Sequence, residues 1–162
     1  EHALVFNVSN PESVEVARSK SPKFSAAMTW LHQSFGVVPD WPGFDILTLD
    51  PREPTSIGRM IELKSSGVAS RFQEMTWNEW KTARSSTLRE RFYLYLVGNL
   101  RSDLMSAQPY IRTIRNPFEQ IAAAVQVSRT TQRKVQLAVS EFQEAEHLDL
   151  MVQHSEKTAL NG

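Results

Sequence analysis

The period of the hydrophobic positions changes several times along the chain, and each change predicts a new element. Residues 24–35 carry apolar side chains at helical spacing, and Gly36 ends that run, so a helix is predicted there. A weaker helical pattern covers residues 11–20, with Asn10 as its predicted N-cap. Pro22 is expected to interrupt the helical pattern between these two segments.

The period then shortens to that of strands. Residues 43–50 and 58–64 predict two strands joined by a polar turn. Residues 92–97 form a near-continuous apolar and aromatic run, as expected of a central strand covered on both faces. Residues 110–114 predict another short strand. The opening residues 3–8 predict either a short strand or the remnant of a preceding linker.

Helical spacing returns at three places in the second half of the chain. A helix is predicted to begin at Thr76 or Asn78 and to run to about residue 88, and Pro117 opens another. Residues 128–152 carry one apolar stripe, which predicts a long amphipathic helix packed on the core or at a subunit contact.

The order of these elements predicts an α/β (α+β) sandwich with a C-terminal helical extension. We therefore divide the chain into one domain over residues 1–124 and a C-terminal helix with its tail over residues 125–162.

Composition narrows the classes of function. The chain has 162 residues and no cysteine, which excludes disulfides, zinc-thiolate sites and thiol nucleophiles. A cysteine-free chain agrees with a reducing compartment, so a cytoplasmic location is expected. The longest apolar runs are too short to span a bilayer. The chain begins with Glu1 and is expected to be a piece of a longer protein.

Charge bears on possible partners. Eighteen basic and eighteen acidic residues give zero net charge, so any nucleic-acid surface must be a local patch. Basic residues concentrate in the middle of the chain. Arg71, Lys81 and Arg84 follow the second hairpin strand and are candidates for holding a phosphodiester backbone. The alternative is an ordinary solvated helix face.

The residues that suggest chemistry lie on the two hairpin strands. Glu62 and Lys64 share one strand face because side chains alternate. If Asp50 lies opposite Ile57 in an antiparallel hairpin, Asp45 falls opposite Glu62. Carboxylates about 5 Å apart repel each other, and a divalent cation between them turns that repulsion into a binding site. The alternative is an ordinary charge pair between Glu62 and Lys64 on a solvated face.

Oxygen ligands alone suit magnesium or manganese. Lys64 would lie within reach of a water on that metal, where it could orient the water or stabilise charge on a phosphate. Glu79 and Lys81 are predicted either to border this site or to serve only the helix start, with Asn78 as N-cap. Trp41 and Trp77 are more often packing residues than base-stacking platforms, but they are the best stacking candidates among the tryptophans.

Asp45, a hairpin-sized gap and then Glu62-Leu63-Lys64 resemble the PD-(D/E)XK nuclease signature. More narrowly, residues 36–121 resemble the family named after the C-terminal domain of the plant protein NO VEIN. Four short motifs in the right order carry this resemblance: Gly43-Phe-Asp-Ile46, Ile61-Glu-Leu-Lys64, Thr76-Trp-Asn-Glu-Trp80 and Tyr93-Leu-Tyr-Leu-Val97.

The resemblance implies a restriction-endonuclease-like core, with a central mixed sheet of four or five strands flanked by helices. It implies that Asp45 and Glu62, with the backbone carbonyl of Leu63, bind Mg²⁺, which Mn²⁺ can replace, and that Lys64 is the catalytic lysine. Many such nucleases add a glutamate from the first helix. Glu15 is the better candidate for that acid and Glu12 the other, although Pro22 separates both from the stronger helix.

The expected function is therefore that of a magnesium-dependent endonuclease acting on nucleic acid, with DNA as the expected substrate. It would serve as the nuclease module of a larger bacterial defence or helicase-like protein, and a homodimer could cut both strands. The alternative is a catalytically inactive nuclease-fold module that binds nucleic acid or a protein partner. A third reading is an interaction domain that assembles through its C-terminal stripe.

Overall fold

Four helices and eight strands make up the part of the chain that the computed structural model describes, namely residues 2–53, 56–69, 72–101, 108–122, 134–142 and 145–149. The helices are α1 (Pro11–Lys20), α2 (Pro22–Phe35), α3 (Trp77–Ala83) and α4 (Pro117–Ala122). The strands are β1 (Leu4–Asn7), β2 (Ile46–Leu49), β3 (Ile57–Ser65), β4 (Phe72–Thr76), β5 (Phe92–Gly98), β6 (Tyr110–Arg115), β7 (Lys134–Ala138) and β8 (Glu146–Asp149). Single 3₁₀ turns lie at Arg89–Arg91 and Val139–Glu141.

Six strands form one mixed sheet in the order β1-β2-β3-β5-β6-β8, and β4 pairs with β7 in a separate ribbon. The pair β3–β5 is parallel, whereas the other neighbours in the large sheet are antiparallel. The architecture is α+β, and the sheet is larger than the four or five predicted strands. The opening residues form a paired edge strand rather than a linker.

One face of the large sheet carries the hydrophobic core. Along β5, Phe92, Leu94 and Leu96 are buried, whereas Tyr93 and Tyr95 on the other face are only half-buried. Side chains from the helices and from the neighbouring strands complete this core, among them Val14, Phe24, Met28, Leu31, Leu47, Leu49, Met60 and Trp80. Strand β5 is therefore central in the sheet, as predicted, with one face buried and the other only partly covered.

The two N-terminal helices begin and end where the sequence signals lie. Asn10 caps α1 by accepting a hydrogen bond from the backbone N–H of Ser13 at 2.9 Å. The helical pattern is interrupted at Ser21 and Pro22, as predicted, and Pro22 is itself the first residue of α2, because Ser21 caps α2 and a proline is tolerated at the first helical position. Gly36 ends α2 at φ +66°, which favours glycine.

The C-terminal segment differs most from prediction. The predicted helix over residues 128–152 is wrong for the residues described there, since residues 134–138 and 146–149 are strands. Leu137 is buried and Gln136 is exposed, so the apolar residues follow a period of two. Pairing of β7 with β4 and of β8 with β6 prevails over the helical pattern. Residues 139–141 form a 3₁₀ turn, whereas residues 128–133, 143–144 and 150–152 of the predicted helix lie outside the described ones. The domain division at residue 124 stays a prediction.

Within the described residues, none of the helices combines the length and the apolar character needed to cross a bilayer.

Candidate active site

The hairpin of β2 and β3 positions the candidate acids. Ile46 pairs with Ile61, and the backbone N–H of Asp45 donates to the carbonyl of Ile61 at 2.8 Å. If this register continues by one residue, Asp45 lies opposite Glu62. This is the pairing that was predicted from the sequence.

The register at the turn end of the hairpin differs from the prediction. Leu49 pairs with Ile57, so Asp50 does not lie opposite Ile57. The backbone N–H of Asp50 instead donates to the carbonyl of Ser56 at 3.0 Å. An irregularity between Leu47 and Leu49 takes up the difference of one residue. The assumed starting pair is wrong, yet the register beside the acids is the predicted one.

Asp45 is fixed by a hydrogen bond to the neighbouring strand. Its Oδ2 accepts from the backbone N–H of Leu63 at 2.8 Å. Burial raises the pKa of the Asp45 carboxyl above its ordinary value, against the opposing effects of the Leu63 N–H and the Lys64 ammonium. The carboxylate of Glu79 adds to the rise. Asp45 is therefore an acid whose negative charge is incompletely compensated.

Glu62 is the most buried acid of the site, with only 3 % of its surface exposed. Burial raises the pKa of Glu62 to about 8, and the carboxylates of Glu79 and Asp45 contribute to the rise. The nearby ammonium of Lys64 opposes this shift without cancelling it. Near neutral pH the Glu62 carboxyl retains a proton for much of the time, unless a cation takes the place of that proton.

Lys64 lies between two carboxylates. Its Nζ is 2.5 Å from Oε1 of Glu62 and 2.8 Å from Oε2 of Glu79. Burial by itself lowers the pKa of Lys64, but the two carboxylates outweigh burial and the pKa is raised. The ammonium is therefore kept charged and fixed in direction.

Glu79 comes to this cluster through the start of α3. Thr76 is the N-cap, and its side chain accepts from the backbone N–H of Glu79 at 3.3 Å. Oε2 of Glu79 accepts from the backbone N–H of Thr76 at 2.9 Å and also from Lys64. The predicted N-cap Asn78 is thus wrong, since Asn78 instead donates its side-chain amide to the carbonyl of Trp41. The Thr-x-x-Glu spacing of a capping box was the sequence signal for Glu79.

A cleft of about 430 Å³ opens beside the acids. Asp45, Glu62 and Glu79 line one part of it, and Val38 and Trp41 line another. Trp41 is 58 % exposed, which is unusual for a tryptophan that only packs. The cleft therefore combines acid groups with an exposed aromatic and apolar wall.

The other predicted site residues fall into three places. Glu15 is exposed on α1, where it pairs with Arg18 at 3.5 Å, and it does not line the cleft. Lys81 and Arg84 are exposed and line a second, smaller cleft of about 230 Å³. Arg71 lies outside the described residues. The structure thus brings Glu79 to the candidate site and does not bring Glu15 there.

The donor set fits a hard divalent cation only in part. Nowhere in the described residues do three or more histidine, aspartate or glutamate side chains converge in a geometry that could hold a metal ion. Asp45 and Glu62 form a pair of carboxylates, and Mg²⁺ is commonly bound by one or two carboxylates while it keeps several waters. The carbonyl of Leu63 as a further ligand stays a prediction.

The fold and the cleft together define a class: an α+β domain whose central hairpin presents paired acids and a half-buried lysine. The family described as "Protein NO VEIN, C-terminal" matches residues 21–111, and the chain belongs to this family. The matched region includes β2, β3, α3 and β5, and therefore every acid of the cleft. Comparison with curated proteins and with solved structures gave no match.

Proposed function

We propose that this domain is a magnesium-dependent nuclease of the PD-(D/E)XK type, with a restriction-endonuclease-like core, that hydrolyses phosphodiester bonds of DNA. The observation that carries the proposal is the hairpin register, which sets Asp45 opposite Glu62 with Lys64 on the same face. All three border or adjoin one open cleft. Two carboxylates that could hold a divalent cation, with a cation beside them, can support metal-assisted hydrolysis of a phosphodiester.

The charge balance of the cleft supports a bound cation. Asp45, Glu62 and Glu79 set three carboxyl groups against the single ammonium of Lys64. The raised pKa values of Asp45 and Glu62 follow from that imbalance together with burial. A Mg²⁺ ion held by these two acids would relieve the imbalance, polarise the scissile phosphate and lower the pKa of a bound water, and Mn²⁺ would substitute for it.

Lys64 and Glu79 act as a unit in this proposal. The Lys64 ammonium stabilises the negative charge that develops on the phosphate oxygens as water attacks. Glu79 is a positioning residue, because its carboxylate holds Nζ of Lys64 at 2.8 Å and is itself fixed by the capping box of α3. The lysine is therefore aligned before substrate binds, which lowers the cost of reorganisation during the reaction.

We propose further that the domain is a cytoplasmic nuclease module of a larger bacterial defence or helicase-like protein. Zero net charge supports this reading, because a chain without excess positive charge depends on a local patch or on other domains to bind DNA. A homodimer would place two clefts on one duplex and allow both strands to be cut.

One observation favours a second candidate, a catalytically inactive module that binds nucleic acid or a protein partner through the same cleft. Lys64 already pairs with Glu62 and Glu79, so the cluster is partly neutralised from within. A module of this kind would bind nucleic acid with a steep dependence on salt and would not cleave it in any metal.

The test is cleavage of supercoiled plasmid and of single-stranded DNA by the purified chain in Mg²⁺, in Mn²⁺ and in EDTA. Cleavage is expected in the two metals and not in EDTA. Asp45→Ala and Lys64→Ala should each reduce the rate by about 100-fold or more, since each removes a group that acts on the reacting phosphate. Glu15→Gln is the matched control, an exposed acid outside the cleft, and should cleave at the wild-type rate.

Circular dichroism of each variant shows whether a loss of cleavage reflects a loss of fold. Cleavage that persists in both Asp45→Ala and Lys64→Ala would refute the nuclease proposal. DNA binding that weakens steeply with salt, without cleavage in either metal, would select the inactive module instead.

A further inference from the structure

Two clefts lie side by side on the surface formed by α3 and the loop of residues 37–43. The first contains the acids, and the second contains Lys81 and Arg84. Val38 and Asn78 line both clefts, so the two clefts are adjacent. We call the two adjacent clefts together the α3 groove, with an acidic end and a basic end.

The exposed Trp41 stands on the wall of this groove and is held there by α3. Its carbonyl accepts from the side-chain amide of Asn78 at 2.7 Å, and the carbonyl of Pro42 accepts from the hydroxyl of Thr82 at 3.1 Å. Gly43 has φ +79°, and a Cβ there would lie 2.8 Å from the carbonyl oxygen of Asn78. The loop therefore needs glycine to approach the helix this closely, and it presents Trp41 on a fixed backbone.

The α3 groove has an acidic end, an aromatic wall and a basic end. These suit, in turn, a phosphate, a base and a second phosphate of a nucleotide strand. The acidic end suits a phosphate that is bridged by a divalent cation. Trp41 and Val38 are 58 % and 44 % exposed, and they offer an aromatic and apolar surface to a base. Lys81 and Arg84 offer positive charge to a second phosphate.

We propose that the α3 groove binds a single, unpaired strand of nucleic acid, with one base stacked on Trp41 and the following phosphate at Lys81 and Arg84. The inference rests on the proposed function for the phosphate at the acids, and it names the substrate form that the same site takes. Clefts of about 430 and 230 Å³ admit individual nucleotides. A base inside a duplex has its faces covered by its neighbours and cannot stack on Trp41 unless it leaves the helix.

The test is equilibrium binding of a fluorescein-labelled oligo-dT strand and of a labelled duplex of the same length, followed by anisotropy. Ca²⁺ serves as the divalent ion, and gels confirm that each probe stays intact. The single strand should bind at least about tenfold more tightly than the duplex. Trp41→Leu should weaken binding of the single strand about tenfold, whereas Trp41→Phe, which keeps an aromatic ring, should stay within about threefold of wild type.

The basic end is tested by its salt dependence. Lys81→Ala combined with Arg84→Ala should lower the slope of log affinity against log salt by about 1.4, because two phosphate contacts are lost and each contributes about 0.7 on a single strand. Lys20→Ala, an exposed cation on α1 away from the groove, is the charge control and should leave the slope unchanged.

Failure of this inference differs from failure of the nuclease proposal. Cleavage in Mg²⁺ with equal binding of strand and duplex, or with no effect of Trp41→Leu, refutes single-strand binding in the α3 groove and is compatible with the nuclease proposal. Strand-selective binding that depends on Trp41, without cleavage in any metal, supports single-strand binding in the groove and refutes the nuclease proposal.

Discussion

Strand β3 carries two cations on opposite faces of the sheet, and their surroundings differ in nearly every respect. Lys64 faces the helices and lies between the carboxylates of Glu62 and Glu79. Arg59 lies on the open face, where its guanidinium donates to the hydroxyl of Tyr95 at 2.6 Å and stacks 4.6 Å from the ring centre of Tyr93. One cation is in direct contact with charged partners in a largely buried setting. The other is in direct contact with neutral partners near water, and the carboxylate of Glu146 adds only a weaker attraction.

This difference shows which of the two clusters costs the folded state free energy. The cluster around Arg59 satisfies its cation with an aromatic ring and a hydroxyl, and such contacts stabilise a surface modestly. The cluster around Lys64 buries an acid whose pKa is raised to about 8, because burial makes its ionised form costly. Side chains placed at a cost beside an open cleft indicate a site for a ligand.

The largest expected effect is a difference in the free energy of unfolding between variants of the two cations. Lys64→Met should lower the free energy of unfolding at pH 8 by about 3 kcal/mol, because Glu62 and Glu79 lose their shared counter-charge in a buried setting. Arg59→Met should lower it by less than about 1 kcal/mol, because its partners are neutral and near water. Urea denaturation of both variants and of wild type measures the two differences.

The same variants at pH 6 sharpen this comparison. The cost of Lys64→Met should fall there, because Glu62 can then take up a proton and shed its charge. The cost of Arg59→Met should not change between the two pH values. If Lys64→Met and Arg59→Met lost the same unfolding free energy at pH 8, the charges around Lys64 would contribute no more to stability than the contacts of Arg59.

The second effect is the pH dependence that Glu62 imposes on the metal-free protein. Its pKa is about 8 when folded and near 4.5 when unfolded, so the folded state binds the proton more tightly. This contribution to stability is full below the unfolded value and is lost as pH rises through the folded value. Between pH 5.5 and 8.5, wild type should therefore lose about 3 kcal/mol more than Glu62→Gln.

Chemical denaturation in EDTA at several pH values measures that loss. Glu15→Gln is again the matched control, because Glu15 is an exposed acid, and it should follow the wild-type profile. A Glu62→Gln variant with the same pH slope as wild type would mean that another group causes the dependence.

Much of the site could be predicted because it depends on local alternation. The period of two in residues 58–64 places Glu62 and Lys64 on one face whatever the rest of the chain does. The predicted hairpin register is wrong at the turn, where Leu49 and not Asp50 pairs with Ile57. It is right beside the acids, so the position of Asp45 opposite Glu62 was predicted. The irregularity beside Leu49 shifts the pairing by one residue, and no residue type there announces it.

The parts that failed depend on partners distant in sequence. Residues 134–138 and 146–149 fit a helical stripe as well as a strand, and edge pairing with β4 and β6 decides between the two. The exposure of Tyr93 and Tyr95 likewise depends on which face the helices cover, which a single apolar run does not reveal. Glu79 was foreseen at the border of the site, but its contact with Lys64 required the path of α3.

The smallest expected effect is the stabilisation by Mg²⁺, and it tests the charge imbalance directly without any measurement of activity. At ten times its dissociation constant, a ligand that binds only the folded state stabilises it by about 1.4 kcal/mol, or about 4 °C for a domain of this size. The gain should be larger at pH 8 than at pH 6, because protons compete with the metal for Glu62. Asp45→Asn keeps an acceptor for the N–H of Leu63 while it removes a charge, so it should fold and lose the gain. Arg59→Met, on the opposite face of β3, should keep the gain in full, and an equal gain in Asp45→Asn would place the metal elsewhere.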